Sequence, residues 1–301
     1  MSTKIINKIL VTGASGFVGS AVVSHFKKQG YLVSRLVRHV HERQTDTIYW
    51  NPLNEEIDLD SLEGFHAVVH LAGENIATRW TRKKKEEIFL SRVRHTWLLS
   101  HALARLKNPP KVFFAASAVG FYGNGGNEIV TEEGERGQGF LSSVCVKWEQ
   151  ASQILDEKKI RVIRARLGSV LSPSGGMVHK LLPFYHCGIG GRIGSGKQWM
   201  SWIALDDLVG AIEFVLLNTQ TRGVFNFTSP HPVTNREFAW KLARAVHRFP
   251  LFPLPKWLVK FLYGEMGQEL LLTSLRAVPA KLLQSGFVFK KPTLEDVLSD
   301  V

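Results

Sequence analysis

Cysteine is scarce: the 301-residue chain holds two, Cys145 and Cys187. Neither stands in a CxxC pair or near histidines at metal-ligand spacing, so free thiols and no structural metal are expected. Long apolar runs are missing as well. No uninterrupted stretch approaches the roughly 20 apolar residues that a bilayer-crossing helix needs. Met1 to Lys8 is polar and runs straight into the first strand pattern, leaving no room for an apolar signal region. The expectation is a cytoplasmic protein without a membrane partner. Internal repeats and low-complexity tracts are also absent, and neither a hydrophobic share of 45% nor a charged share of 21% points to disorder.

Acidic residues are in deficit, with 26 Asp and Glu against 38 Lys and Arg for a formal charge of +12. Such a field attracts anions without selecting one. Its densest run comprises Arg79, Arg82, Lys83, Lys84 and Lys85. Glu86 and Glu87 follow at once and no aromatic platform interleaves, so the run reads as a solvated helix face and a nucleic-acid partner is disfavoured.

What the chain does have is a glycine turn in the right place. The apolar run Ile9-Leu10-Val11 leads into Thr12-Gly13-Ala14-Ser15-Gly16-Phe17-Val18-Gly19, which opens a helical pattern ending near Gly30. Three glycines so spaced allow a tight strand-to-helix turn, close approach of backbone N–H groups to a pyrophosphate, and close packing of helix on strand. The helix N-terminus adds partial positive charge. Gly13, Ser15, Gly16, Phe17, Val18 and Gly19 are therefore candidate cofactor-binding residues.

Further strands are predicted at 31–37, 47–50, 66–71, 111–116 and 160–166, with helices at 17–29, 82–106 and 141–158. Alternation of this kind predicts an α/β fold: a Rossmann-type doubly wound parallel sheet. The character changes after Pro173. The division expected is a dinucleotide-binding domain over 1–172 and a smaller, substrate-facing, helix-rich part over 173–301, with a terminal helical segment from about 249. Asp206 and Asp207 read as caps of a helix beginning at Leu208.

The second strand hints at which dinucleotide. NAD sites carry an acidic residue about 20 positions past the glycines, whereas an arginine there can pair with a 2′-phosphate. No carboxylate lies between Gly19 and Glu42, while Arg35 and Arg38 do, with His39, His41 and Arg43 beyond. A guanidinium fork matches phosphate geometry. Arg38 is the expected 2′-phosphate ligand and Arg35 its second, which favours NADP(H).

Joined to His70-Leu71-Ala72-Gly73, Ser117 ahead of Phe121-Tyr122-Gly123, and Arg166-Leu167-Gly168, the glycine turn makes the chain resemble extended short-chain dehydrogenases/reductases, the NAD-dependent epimerase/dehydratase family. Leu71 to Ile76, Ser91-Arg92-Val93-Arg94, Lys147-Trp148-Glu149, Gly194 to Gln198 and Trp202 to Asp207 resemble its YfcH-like epimerase branch, whose members end in a helical domain of unknown function. The resemblance implies that Gly13, Gly16 and Gly19 line the pyrophosphate, that Leu71, Ala72 and Gly73 border the adenosine and ribose side, and that Ser117 lies beside the nicotinamide. It implies a pocket formed by Ser117 to Gly123, Arg166, Met177 to Leu182 and Gln198 to Trp202. His70 reads as a packed strand residue. Asn75 either approaches the cofactor or caps the next turn, and Trp50 either meets the adenine or packs in the core.

The wider family uses Tyr-x-x-x-Lys for proton transfer, because i and i+4 share a helix face and the ammonium lowers the phenol pKa. Here that segment reads Cys145-Val146-Lys147-Trp148-Glu149. Three readings stay open. Tyr122 acts as the acid; Cys145 or Glu149 takes over a modified proton transfer near Ser117; or the protein binds NADPH and catalyses nothing. The expectation is an NADP(H)-dependent oxidoreductase or epimerase-like protein for a small carbonyl, hydroxyl or sugar-derived substrate, with a silent NADPH-binding regulator or scaffold as the alternative.

Overall fold

The computed structural model describes residues 6–38, 45–54, 56–299 and 301, residue 56 by its backbone alone. His39, His41 and Arg43 lie outside the described residues. The chain runs through β1 (Lys8–Thr12), α1 (Phe17–Lys28), β2 (Leu32–Val37), β3 (Thr47–Asn51), β4 (Glu56–Ile57), β5 (Ala67–His70), α2 (Arg82–Phe89), α3 (His95–Leu103) and β6 (Val112–Ala118). Then come β7 (Ile129–Val130), α4 (Phe140–Gln150), α5 (Gln153–Glu157), β8 (Arg161–Leu167), β9 (Ser169–Ser172) and α6 (Gly176–His186). The remainder holds β10 (Trp199–Met200), β11 (Trp202–Ala204), α7 (Leu205–Leu217), β12 (Gly223–Phe227), β13 (Val233–Thr234), α8 (Asn235–Ala245), α9 (Lys256–Met266), β14 (Arg276–Ala277), α10 (Ala280–Gln284) and α11 (Leu294–Leu298).

Eight strands form the main sheet in the order β12-β8-β6-β5-β1-β2-β3-β4, parallel except for β4, which pairs antiparallel with β3. β1 is hydrogen-bonded to both β2 and β5. The chain therefore builds outward from β1 in one direction and then in the other, leaving a topological switch point at the C-terminal ends of β1 and β5. Strand alternation assigns the two cores. Ile9 and Val11 pack with Val22 and Phe26 of α1 and Ile212 of α7, whereas Leu10 faces the opposite layer with Leu99 and Leu103 of α3 and Leu155 of α5.

Three expectations change. The predicted helix over 141–158 is two helices, α4 and α5, separated at Ala151 and Ser152. The sheet does not end near residue 172: α7 and β12 follow that point yet complete one layer and one edge of it, β12 pairing parallel with β8. Chain order conceals this because a parallel edge strand needs a long crossover. Asp206 and Asp207 do not cap α7, which already begins at Leu205 with Ala204 at its N-cap. The buried Asp207 carboxylate instead accepts the backbone N–H groups of Lys290 and Lys291, at 2.7 and 2.9 Å.

Candidate active site

The glycine turn lies at the switch point. Gly13 has φ +67°, and a Cβ there would stand 2.8 Å from the Ala72 nitrogen; a Cβ on Gly19 would stand 2.1 Å from the Gly13 carbonyl oxygen. Both positions thus need glycine, one for its backbone and one for the closeness of helix to turn. α1 has no side-chain cap and no carboxylate in its first turn. Its leading N–H groups have no partners within the helix, which suits an anion. Val18 faces the cavity beyond the turn, whereas the Phe17 ring fills the space above Gly175 and Gly176. Ser15 is exposed.

The two arginines of β2 part company. Arg35 is committed within the protein: its Nη2 donates to Asp46 Oδ1 at 2.8 Å, and Lys27 holds the other Asp46 oxygen. These bonds hold the Asp46 carboxyl below the usual range. Arg35, expected as the second phosphate ligand, is thus already paired with Asp46, a carboxylate that the sequence places 11 positions away. Arg38 is exposed just past the end of β2, on the side of the sheet where the switch point opens. Its charge reaches Glu74 and His95: the Glu74 carboxyl is lowered chiefly by its bond to Lys84, and His95 is lowered chiefly by burial.

A buried polar chain ties the turn to α4. Leu71 and Ala72 donate their N–H groups to Thr12 Oγ1, which lies 2.7 Å from His70 Nδ1. His70 Nε2 lies 2.9 Å from Thr96 Oγ1, and that oxygen accepts Trp148 Nε1–H at 3.0 Å. Burial, with help from His95, pushes the His70 pKa down to about 3, so the ring is neutral. As expected, His70 is a packed strand residue. Asn75 makes the local turn, its Oδ1 accepting from the Ala77 N–H, and Trp50 is a core residue.

At the other side of the switch point, Ser117 Oγ donates to Glu149 Oε1 at 2.8 Å. Glu149 also takes Arg166 through both oxygens, from Nε at 2.8 Å and Nη2 at 2.9 Å. Arg166 Nη1 donates to the Tyr122 oxygen, and Tyr122 donates to Asn226 Oδ1. Burial works against the Arg166 charge, but Glu149 and Tyr122 outweigh it and hold its pKa above the ordinary value. The three candidate catalytic residues therefore separate. Ser117 and Cys145 line the cavity; Tyr122 lies behind Arg166, buried, with its phenol pKa raised mainly by that burial. Burial and the Glu149 charge push the Cys145 thiol up to about 12, which keeps it protonated and unreactive.

One cavity of about 930 Å³ joins these parts. It begins at Val18, Leu71 and Gly73, passes Ser117 and Cys145, and ends between α6, β10 and the segment from Phe252 to Leu275. Two residues with large parts in it received no role from sequence. Arg92, in a π turn joining α2 to α3, stacks on Trp148 at 5.1 Å and donates to the Glu74 carbonyl. Glu269 accepts the N–H groups of Phe140 and Leu141, both at 2.9 Å, capping α4 from far along the chain. Arg92 stood within a recognisable signature; nothing local signals Glu269.

Fold and site together define a Rossmann-type nucleotide-binding protein, with its cleft at the switch point and a pocket walled by the C-terminal segment. The profile of the NAD dependent epimerase/dehydratase family matches residues 9–227, and that of a domain of unknown function, DUF1731, matches residues 254–301. The chain belongs to the NAD dependent epimerase/dehydratase family. It is 39% identical over 291 residues to epimerase family protein Mb2239 of Mycobacterium bovis, covering 96% of each chain. With epimerase family protein YfhF of Bacillus subtilis it shares 33% identity, covering 97% of each. The crystal structure of human epimerase family protein SDR39U1 with NADPH superposes with a TM-score of 0.90 at 30% identity, covering 98% of each chain. Among the described residues no helix is long and apolar enough to cross a membrane, and no group of His, Cys, Asp or Glu forms a metal site.

Proposed function

We propose that this chain is an NADP(H)-dependent oxidoreductase or epimerase-like protein that acts on a small carbonyl or hydroxyl compound, with a Ser117–Glu149 pair in place of Tyr-x-x-x-Lys. The observation that carries this reading is the single cavity leading from the glycine turn to Ser117. The NADPH-bound human relative supports the choice of cofactor. Gly13, Gly16 and Gly19 with the α1 N-terminus would take the diphosphate, Arg38 the 2′-phosphate, and Leu71 to Gly73 the adenosine side. Bound NADP(H) supplies a hydride to exchange with the substrate carbon. Ser117 supplies the proton path. Its oxygen accepts the proton of a substrate hydroxyl while its own proton passes to Glu149 Oε1, and the reverse transfer serves a carbonyl. Arg166 keeps the carboxylate aimed at Ser117.

Titration with NADPH and NADH tests the cofactor reading. Arg38→Ala is expected to weaken NADPH by about tenfold to a hundredfold, the size of a lost charge-assisted pair, and to leave NADH unchanged. Equal affinities in the parent protein would sink it. A screen of carbonyl compounds tests the chemistry: NADPH oxidation should vanish in Ser117→Ala and Glu149→Gln with NADPH binding retained. A second reading, a silent NADPH-binding regulator, is favoured by the closed state of both customary proton positions, since Cys145 is buried and Glu149 is neutralised by Arg166. Absence of turnover across the screen would establish that reading instead.

A further inference from the structure

The wall of the cavity beyond Ser117 has a definite chemistry. Among the described lining residues only Arg92 and Glu269 carry charge. Both are engaged. Arg92 lies at the cofactor end, where a Cβ on Gly73 would meet its guanidinium carbon at 3.4 Å, and it is held by Trp148 and the Glu74 carbonyl. Both Glu269 oxygens are taken by the first N–H groups of α4.

Several uncharged polar groups of this wall are turned into the protein as well. Ser201 Oγ donates to the Leu275 carbonyl and accepts the Ala277 N–H. Asn235 Oδ1 accepts the Ile193 N–H, and Asn124 Oδ1 accepts the Ser274 N–H. Thr273 Oγ1 donates to the Gln268 carbonyl, and the Tyr185 hydroxyl to the Gly191 carbonyl. Most of what remains facing the space is carbon, from Met177 and Leu181 of α6, Met200, Leu258, Leu270 and Leu275, with Gln138, Ser169 and Tyr263 as polar groups at exposed positions. The mouth continues the same surface: Phe184, Ile189, Phe252 and Leu262 line the cavity and are each about half exposed.

A nucleoside diphosphate sugar brings a dianionic linkage, and burying it without free cations is strongly unfavourable. An apolar ligand needs none of them. Building on the NADP(H) reading, we propose that the substrate end takes an uncharged, largely apolar ketone, aldehyde or alcohol, anchored at Ser117, and that nucleoside diphosphate sugars are not its ligands. This separates the chain from what its family name would lead one to expect of its substrate.

The full chain is titrated first with NADPH, followed by dihydronicotinamide emission, and then with 2-heptanone, 2-nonanone, 2-undecanone and UDP-glucose, followed by tryptophan emission, each with and without NADPH. Trp199 on the cavity wall provides the signal. The expected result is an affinity that rises roughly fourfold for each methylene added, with no response to UDP-glucose. A flat ketone series, or UDP-glucose binding more tightly than the longest ketone, overturns the proposal. Leu181→Asn is expected to weaken the longest ketone at least about fivefold and to leave NADPH binding as it was; should that variant fail to fold, the chain-length series still decides. NADPH binding with a flat series refutes this inference alone. A rising series without NADPH binding refutes the proposed cofactor and leaves the ligand class standing.

Discussion

Individual side chains here are fixed by what they cannot leave. Glu149 occupies the position of the family lysine, and a buried carboxylate is tolerable only if its charge is met. Arg166 meets it in bidentate fashion and donates its remaining terminal nitrogen to Tyr122, whose hydroxyl donates in turn to Asn226. Removing one partner would leave the other buried and charged, so the pair is a single unit. His70 obeys the converse rule, buried because it is neutral. Its folded pKa of about 3 lies below the ordinary 6.5, so the unfolded chain takes up a proton first as pH falls. The stabilisation it provides is complete above pH 6.5 and is lost progressively toward pH 3, about 3 kcal/mol of it by pH 4. Urea unfolding of the parent and of His70→Asn at pH 7.5 and pH 4.5 should show a shallower pH dependence in the variant. Parallel profiles would contradict a neutral, buried imidazole.

Among the elements, α4 depends most on a distant part of the chain. Its N-cap is Gly139, with φ +104° and no side chain to accept from the leading N–H groups. Glu269 performs that task from the π turn Gly267–Leu271. A Cβ on Gly139 would come within 2.9 Å of the Glu269 oxygen, so the missing side chain and the distant carboxylate are one arrangement. Glu269→Ala is expected to cost about 1–2 kcal/mol, in line with the loss of a helix cap. It should also speed hydrogen exchange at Phe140 and Leu141 ahead of the rest of α4. Unchanged protection there would show that the helix start is held by something else.

For the whole molecule, the question is whether the C-terminal segment is an appendage. Leu282 belongs to the core beneath α1 and α7, while Leu294, Val297 and Leu298 pack with Trp202 and Phe238 in a third cluster. β14 pairs with β7, and Lys290 and Lys291 satisfy Asp207. A chain so interleaved should unfold in one cooperative step, with fluorescence and circular dichroism transitions coinciding. Residues 1–253 alone should show no cooperative melting, because the cut exposes apolar surface of both clusters and strips the Asp207 carboxylate of its partners. Two separated transitions in the full chain would contradict this.

The sheet and the glycine turn were legible in the sequence because their causes are local: apolar runs of strand length, and glycines whose spacing is set by one tight turn. The β2 arginines were legible only as residue types. Which of them is available for a ligand depends on Asp46, brought beside Arg35 by the β2–β3 pairing. The roles of Glu149, Tyr122 and Glu269 follow from contacts across 17, 44 and 129 positions of sequence. Propensity and periodicity act within a few residues, whereas charge compensation and cavity walls act through space. The amino-acid order thus determined the fold and the nucleotide cleft, and the folded arrangement alone decided which polar groups remain free to meet a ligand.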